Sequence, residues 1–596
     1  MAASRKSADD QSRAEWGSDL IVEMMQRYGI RYAPMNLGST NRGVWDSIVN
    51  FGDNSMPEII ECLHEEIAVA VAHGYAQASG KPAAAFVHST VGTLHSTMAI
   101  YDAYAARTPV IVMAGAGPMS VPLRRPRIDW VHSALLQGNL VRDYVKWDDQ
   151  PHDAQSFPES FARAYRVAMT EPTGPVYVGL DSAWQEARLD EPPLLPVPNR
   201  YGVPTPMQAD PAALARLAEL LWDADAPLIL AGRVGRHRET VSALVELAET
   251  GGLPVIDLGG QLNFPNTHHL DATGTDLLSK SDLVLLIEVD QVEQALVAND
   301  RYTRLPSSRI RPDAKVITMS VSDVWMRSTM LDFGRLYPTE LSIIGDSRLT
   351  VPALTDALRN TAASRRKSER VRADRVDRCS GARASARGAF QAKVARESSD
   401  RPVRITRLVQ EVWNVIGSEA GWIATASETW RAAGGVEAMR GIFTLDRPGC
   451  LASMSGAAAL GTALPKSIGV GLAAKDEGGF VVALGSDGEL LYTPGAFWTA
   501  AHHNIPVLAV VRDNGGYQGE GEHMAWTSEH RGRSLARKHI GTDIKNPEVD
   551  IAAIARAQGA YAEGPIAEPD EVGPALARAL EVVKSQSTIA VVTVRS

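Results

Sequence analysis

The sequence predicts an α/β protein built as three doubly wound, parallel-sheet domains. Three observations carry this prediction. Helical stretches alternate with short β-rich runs from Gly17 onward. A Pro-rich passage at residues 191–206 interrupts the alternation once, and a basic, Ser- and Ala-rich stretch between about 360 and 402 interrupts it again. The length of 596 residues is several times that of one ordinary domain, which agrees.

In the first unit, placed at residues 14–190, a helix is expected over 19–28 and strands over 83–88, 109–114 and 174–180. The passage EPPLLPVPNRYGVPTP cannot continue a helix or an inner strand, so it marks a boundary. A second unit, 207–358, carries strand candidates at 227–231, 254–258, 283–289 and 315–319, which suits a Rossmann-like domain. Residues 359–402 read as a basic linker, a solvated connecting helix. The third unit, 403–596, has strand candidates at 421–425, 479–484, 506–511 and 588–594. Open α/β sheets bind ligands at strand C-terminal ends, so ligand sites between units are expected.

Composition narrows the function. Hydrophobic residues make up 45% and charged residues 22%, as in a globular protein. The net charge of -10 argues against nucleic acid or an anionic membrane as partner and favours a small molecule. Cys62, Cys379 and Cys450 are odd in number and widely spaced, so neither a disulfide framework nor a zinc site is expected, and a reducing, cytoplasmic location is. The first fifteen residues are polar and mixed in charge, a loose tail rather than a signal peptide. No run reaches the ~18 apolar residues that span a bilayer.

The most informative segment is GSDGELLYTPGAFWTAAHHNIPVLAVVRDNGGY, residues 485–517, read as strand, acidic turn, helix, strand, polar turn. A hard cation such as Mg2+ takes oxygen ligands, and the Asp487 carboxylate, the Asn514 amide oxygen and the Gly516 carbonyl would supply them. The 27 residues from Asp487 to Asn514 accommodate one helix and one strand, returning the chain beside Asp487. Gly485, Gly488, Gly515 and Gly516 let backbone approach a phosphate closely. Either turn alone is commonplace; both at this separation are not.

This segment is similar to the GDG-to-NN motif of thiamine diphosphate enzymes. It departs twice: Ser486 reads as an insertion before the Asp, and Asp513 replaces the first Asn of the pair. Both presumed metal ligands are kept. The resemblance implies that Gly485, Ser486, Gly488, Gly516 and Tyr517 border the cofactor. Upstream, AALGTALPKSIG resembles the family segment whose bulky apolar residue bends the cofactor, which implies that role for Leu460 and a pyrimidine-accepting carbonyl at Ala458. Alone, Leu460 would read as an ordinary core leucine.

The family also needs a buried acid beside the pyrimidine ring, whose pKa burial would raise. Leu63-His64-Glu65-Glu66 and the small-residue helix after it resemble the pyrimidine-binding region and imply Glu65, with Glu66 as rival. Without that likeness the run would read as a solvated helix start. The segment FVHSTVGTLH resembles the benzoylformate decarboxylase subgroup, which implies proton transfer at His88, and NLGSTN implies a substrate-carboxylate serine at Ser39. The subgroup's other histidine is expected near 291–295, where QVEQA has none. Glu520 and His523 stand in the segment that usually borders the substrate; facing the cofactor they would demand a polar substrate, and facing solvent they would say nothing about it.

The resemblance therefore implies a lyase: non-oxidative decarboxylation of a 2-oxo acid through a cofactor ylid and enamine. One alternative is an acetolactate-synthase-like carboligase, or an acyloin lyase, joining or splitting two carbonyl compounds. Another is a non-catalytic scaffold, which retention of Glu65 opposes. A nicotinamide dehydrogenase is disfavoured because no Gly-x-Gly-x-x-Gly turn follows the first strand of any unit. The family likeness also implies a homodimer or homotetramer with interface sites, and leaves open whether the middle domain binds FAD.

Overall fold

A computed structural model describes residues 12–321, 335–363, 368–452, 454 and 456–596. The polar amino-terminal segment expected to be a loose tail lies, through residue 11, outside the described residues.

The first sheet contains β1 (Tyr32–Met35), β2 (Glu58–Glu61), β3 (Ala83–Val87), β4 (Val110–Ala116), β5 (Asp148–Asp149) and β6 (Val176–Asp181), in the order β2-β1-β3-β4-β6-β5. The middle sheet contains β7 (Pro227–Ala231), β8 (Val255–Asp257) and β9 (Leu283–Ile287). After a short antiparallel hairpin of β10 (Val297–Asn299) and β11 (Pro306–Ser308), it adds β12 (Lys315–Ser320) and β13 (Leu341–Ile344), in the order β13-β12-β9-β7-β8. The third contains β14 (Trp422–Ala426), β15 (Leu451–Ala452), β16 (Phe480–Ser486), β17 (Val507–Asp513), β18 (Tyr561–Ile566) and β19 (Ile589–Arg595), in the order β15-β14-β16-β17-β19-β18. Every pairing within these three sheets is parallel. Helices cover both faces, so inner strands such as β4 and β9 are buried along their whole length and read as unbroken apolar runs.

The first and third sheets share one strand order. Each reverses direction between its first and third strands, at β1/β3 and at β14/β16, and such a reversal opens a crevice at the strand C-termini.

Those two domains share a core. The helix Glu65–Ser79 lies against the helix Ala463–Asp476, and the backbones touch because both helices carry glycine at the crossing. A Cβ on Gly74 would stand 1.9 Å from the Lys466 carbonyl oxygen, and one on Gly469 would stand 2.0 Å from that of Val71. Three buried polar groups fill the seam: Lys466 Nζ donates to Asp102 Oδ2 at 2.8 Å and to the Met454 carbonyl at 2.8 Å, beside a fully buried His73.

The expected solvated linker is corrected in part. Residues 368–397 form one long helix, Ser368–Glu397, but Arg375 and Cys379 on it are buried, Cys379 in the core of the middle domain. Arg375 donates to the carbonyls of Leu221, Ala224 and Gly251 at 2.7, 2.6 and 2.9 Å. Two of these end their helices, whose last carbonyls lack intrahelical donors, so a cation placed there meets both unmet hydrogen bonds and the negative helix end.

Candidate active site

The acid-bearing half is built at the β2 and β3 ends. His64 caps the helix Glu65–Ser79 by accepting the Glu66 N–H at 3.2 Å on Nδ1. Successive side chains on a helix diverge by about 100°. Glu65 accordingly turns to His95, its Oε2 3.1 Å from Nδ1, while Glu66 turns to the side that feels the Asp102 charge. Burial, then Asp102, pushes the Glu66 carboxyl up. Glu65 is only 5% exposed. It fits because residue 92 is glycine: a Cβ there would stand 2.9 Å from both Cγ and Oε1 of Glu65. The His64 and His95 rings stack at 4.9 Å.

His88 immediately precedes the next helix, Ser89–Ala105, at the β1/β3 reversal. Its Nδ1 lies 3.1 Å from Thr40 Oγ1 and its Nε2 3.2 Å from His132 Nδ1. Burial, then the neighbouring His132, holds its pKa below the ordinary histidine value, against an upward pull from Glu65. Gly38 makes room: a Cβ there would overlap the imidazole at 1.9 Å from Nδ1. Ser39 sits in the same turn but is exposed, and it is its neighbour Thr40 that meets His88.

The other half lies at the ends of β16 and β17. Asp487 is 4% exposed; Oδ2 accepts the Gly515 N–H at 2.9 Å, while Oδ1 has no hydrogen-bond partner among the described residues. Asn514 Oδ1 accepts the Gly516 N–H at 3.1 Å, and Gly515 takes the left-handed φ of 68° that bends the chain around Asp487. A buried carboxylate oxygen lacking a donor is costly, and a hard cation is the ligand that satisfies it. The residues present therefore fit a divalent metal held by Asp487 and Asn514. Gly485 is open, with no atom of the described residues within 4 Å of a Cβ position, and Gly488 packs under the Tyr517 ring.

The reading of Ser486 as an insertion is corrected. It is the last residue of β16, paired with Arg512 in unbroken register, so it occupies a strand position, with its hydroxyl buried and without a partner among the described residues. Leu460 is half-buried in the turn before the helix Ala463–Asp476, and Ala458 is exposed in a left-handed conformation, φ 54°. Asp102 steadies this loop from the acid-bearing domain, accepting the Ala457 N–H at 2.8 Å.

Glu520 and His523 face solvent in the single chain. They stand on the helix Gln518–His530 with side chains 71% and 64% exposed, paired with one another at 3.5 Å, because polar residues three apart share a helix face turned to solvent. The sequence reading also missed His95, His132 and Thr40. His95 was legible as the residue two helical turns after His88; His132 carried no local signal. At the end of β14, Thr429 donates to the buried Glu489 carboxylate at 2.9 Å, a further polar pair that sequence reasoning passed over.

Three family models match the chain: the thiamine pyrophosphate enzyme N-terminal TPP binding domain over residues 15–123, the central domain over 214–354 and the C-terminal TPP binding domain over 433–594. A benzoylformate decarboxylase of Pseudomonas aeruginosa is 24% identical over 84% of this chain and 85% of its own length. An acetolactate synthase of Bacillus subtilis is 23% identical over 84% and 82%. Among solved structures, benzoylformate decarboxylase from Polynucleobacter necessarius superposes with a TM-score of 0.75 at 19% identity, covering 98% of this chain and 99% of that one. With its three parallel-sheet domains each matched in order, the chain belongs to the thiamine pyrophosphate-dependent enzymes of the decarboxylase and acetolactate synthase family.

Proposed function

We propose that this enzyme catalyses the non-oxidative decarboxylation of a 2-oxo acid. The observation that carries the reading is His88 at the β1/β3 reversal, within hydrogen-bond distance of Thr40 and His132, in the domain that holds the buried Glu65. When bound, thiamine diphosphate supplies the electron sink that stabilises negative charge at a former carbonyl carbon. Glu65 holds and shares a proton at its carboxylate oxygen, in the space that Gly92 leaves open. Asp487, Asn514 and the Gly516 carbonyl would hold Mg2+, and Gly485, Ser486, Gly488 and Tyr517 would border the diphosphate. Leu460 would support the cofactor and the Ala458 carbonyl would accept a hydrogen bond from it. His88, whose pKa burial and His132 hold down, takes a proton from solvent and delivers it to the carbon that carbon dioxide leaves, and Ser39 orients the substrate carboxylate.

The apolar side chains of Leu94, Met98, Trp130, Leu135 and Leu136 are exposed in the segments that carry His95 and His132. An apolar patch of this kind marks an association surface, and it supports a homodimer, or a dimer of dimers, in which the diphosphate half of one subunit covers the acid-bearing half of another. Among the described residues no helix is long and apolar enough to cross a membrane. The buried, unpaired thiols of Cys62, Cys379 and Cys450 suit a reducing cytoplasm.

A second reading, carboligation, is supported by the acetolactate synthase relative, as similar to this chain as the decarboxylase. Turnover of a panel of 2-oxo acids with thiamine diphosphate and Mg2+ separates the two. Aldehyde released in step with carbon dioxide is the expected result; accumulation of hydroxyketone transfers the assignment to the carboligase, and no turnover of any substrate, unchanged by Glu65→Gln, removes both.

A further inference from the structure

The middle sheet reverses direction between β7 and β9, which is where a sheet of this strand order receives a nucleotide. Here that crevice is closed by the chain itself. Beyond the strand ends the two segments stay hydrogen-bonded, Gly232 N–H to the Ile287 carbonyl and Arg233 N–H to the Glu288 carbonyl, each at 2.9 Å. A Cβ on Gly232 would stand 2.2 Å from the Glu288 carbonyl oxygen, so the backbones are in contact. Glu288 is 2% exposed and left-handed, with φ 52°, a conformation that costs a non-glycine residue on the order of 1 kcal/mol and persists only where its surroundings hold it.

The surroundings are a set of donors. Glu288 Oε1 accepts Arg236 Nη2 at 2.9 Å and the Ser347 N–H at 3.2 Å, at the first turn of the helix Ser347–Ala363. Its Oε2 accepts Ser320 Oγ at 3.1 Å and the Val321 N–H at 3.4 Å. A guanidinium, a helix N-terminal amide, a hydroxyl and a loop amide are what a phosphate group takes. Nothing of Arg236 is left over: Nε donates to Glu171 Oε1 at 3.0 Å, Nη1 to the Arg233 carbonyl at 3.1 Å and to Ser347 Oγ at 3.4 Å. The buried Asp346 lies 3.9 Å from Nη2, so an incoming anion would also meet carboxylates. Glu171 belongs to the acid-bearing domain, as do Arg107, 3.1 Å from Asp290, and the Ala106 carbonyl, which accepts Arg233 Nη2 at 2.5 Å.

We infer that Glu288 is a built-in anion: its carboxylate fills the phosphate position of the middle domain's nucleotide crevice, so that this domain takes neither FAD nor an adenine nucleotide and instead clamps the acid-bearing domain through Arg236. The residues present do not fit the FAD left open by the family likeness. The inference stands apart from the reaction proposed above, because it concerns a crevice in another domain.

The test uses the full-length holoenzyme. Wild-type protein dialysed against FAD, ADP or inorganic phosphate is expected to retain none at stoichiometric level and to show no thermal shift in phosphate beyond that in chloride of equal ionic strength. Glu288→Ala is expected to bind inorganic phosphate at least about tenfold more tightly than wild type and to gain a phosphate-specific rise in melting temperature. Stoichiometric FAD or ADP on the wild-type protein overturns the inference, as does a folded Glu288→Ala that gains no phosphate binding. If Glu288→Ala does not fold, wild-type dialysis decides alone: retained nucleotide refutes the built-in anion, and its absence upholds it.

Discussion

The Glu65 carboxylate lies 3.1 Å from the His95 imidazole, and the glycine at position 92 is what lets it reach there. In a helix interior, Gly→Ala ordinarily stabilises by about 0.5–1 kcal/mol. Here the added methyl would press on Cγ and Oε1 of the buried Glu65 and displace its carboxylate. Gly92→Ala should therefore lower turnover by about tenfold or more in protein that still folds, since small misplacements of a catalytic group are expensive. Unchanged turnover in a stable variant would remove Glu65 from the role assigned to it.

The two adjacent acids should separate in activity. Glu65→Gln is expected to reduce turnover by about 10²–10⁴, the range of a lost proton-transfer group. Glu66→Gln should cost little, because burial and Asp102 already oppose its charge. Parallel assays of both variants under saturating cofactor decide this; equal losses would contradict the divergence of the two side chains.

Asp487→Asn keeps an acceptor for the Gly515 N–H but removes the charge beside the unpartnered Oδ1. Folding should be nearly unaffected, while Mg2+-dependent retention of thiamine diphosphate through gel filtration is lost. Retention equal to wild type would place the metal elsewhere.

His73 makes stability depend on pH. Burial first, and Lys466 second, hold its pKa down to about 3, against an ordinary value near 6.5. Between those values the unfolded chain binds a proton that the folded chain refuses, so stability falls as pH drops below about 6.5, by up to about 1.4 kcal/mol per unit. Among the described residues neither ring nitrogen has a hydrogen-bond partner, so an apolar side chain of similar size should be tolerated. Denaturant melts of His73→Leu from pH 7 to pH 4 should show a flatter slope than wild type, with stability at pH 7 equal or greater. An unaltered slope would assign the acid sensitivity to other groups.

His132 lowers the His88 pKa, second only to burial. In His132→Phe the protonated form of His88 should persist to higher pH, and the acid limb of the rate profile should move the same way. Histidine-labelled NMR titration of His88 gives the first readout independently of turnover; no upward shift would break the link between the two rings.

Several features were legible because they are local. The parallel sheets announce themselves as apolar runs between helices, and Asp487 and Asn514 could be paired because one helix and one strand bring the chain back to the same edge. Glu65 could be named from the family likeness of its capped, small-residue helix. The strands Glu58–Glu61, Leu341–Ile344 and Tyr561–Ile566 escaped notice because each is short and interrupted by polar or small residues.

What the sequence by itself determined was the architecture in three units, the cofactor class and the ends of the strands where chemistry would lie. Only the tertiary structure decided which groups meet: His88 with His132, Asp102 with Lys466, Glu288 with Arg236, and Arg375 with carbonyls from two helices. The physical reason is that backbone hydrogen bonding and side-chain periodicity act over a few residues and are written in the local pattern. The partner of a buried charge is instead set by how separate elements pack, and the large cost of leaving that charge unpaired is settled only once the whole chain has closed around it.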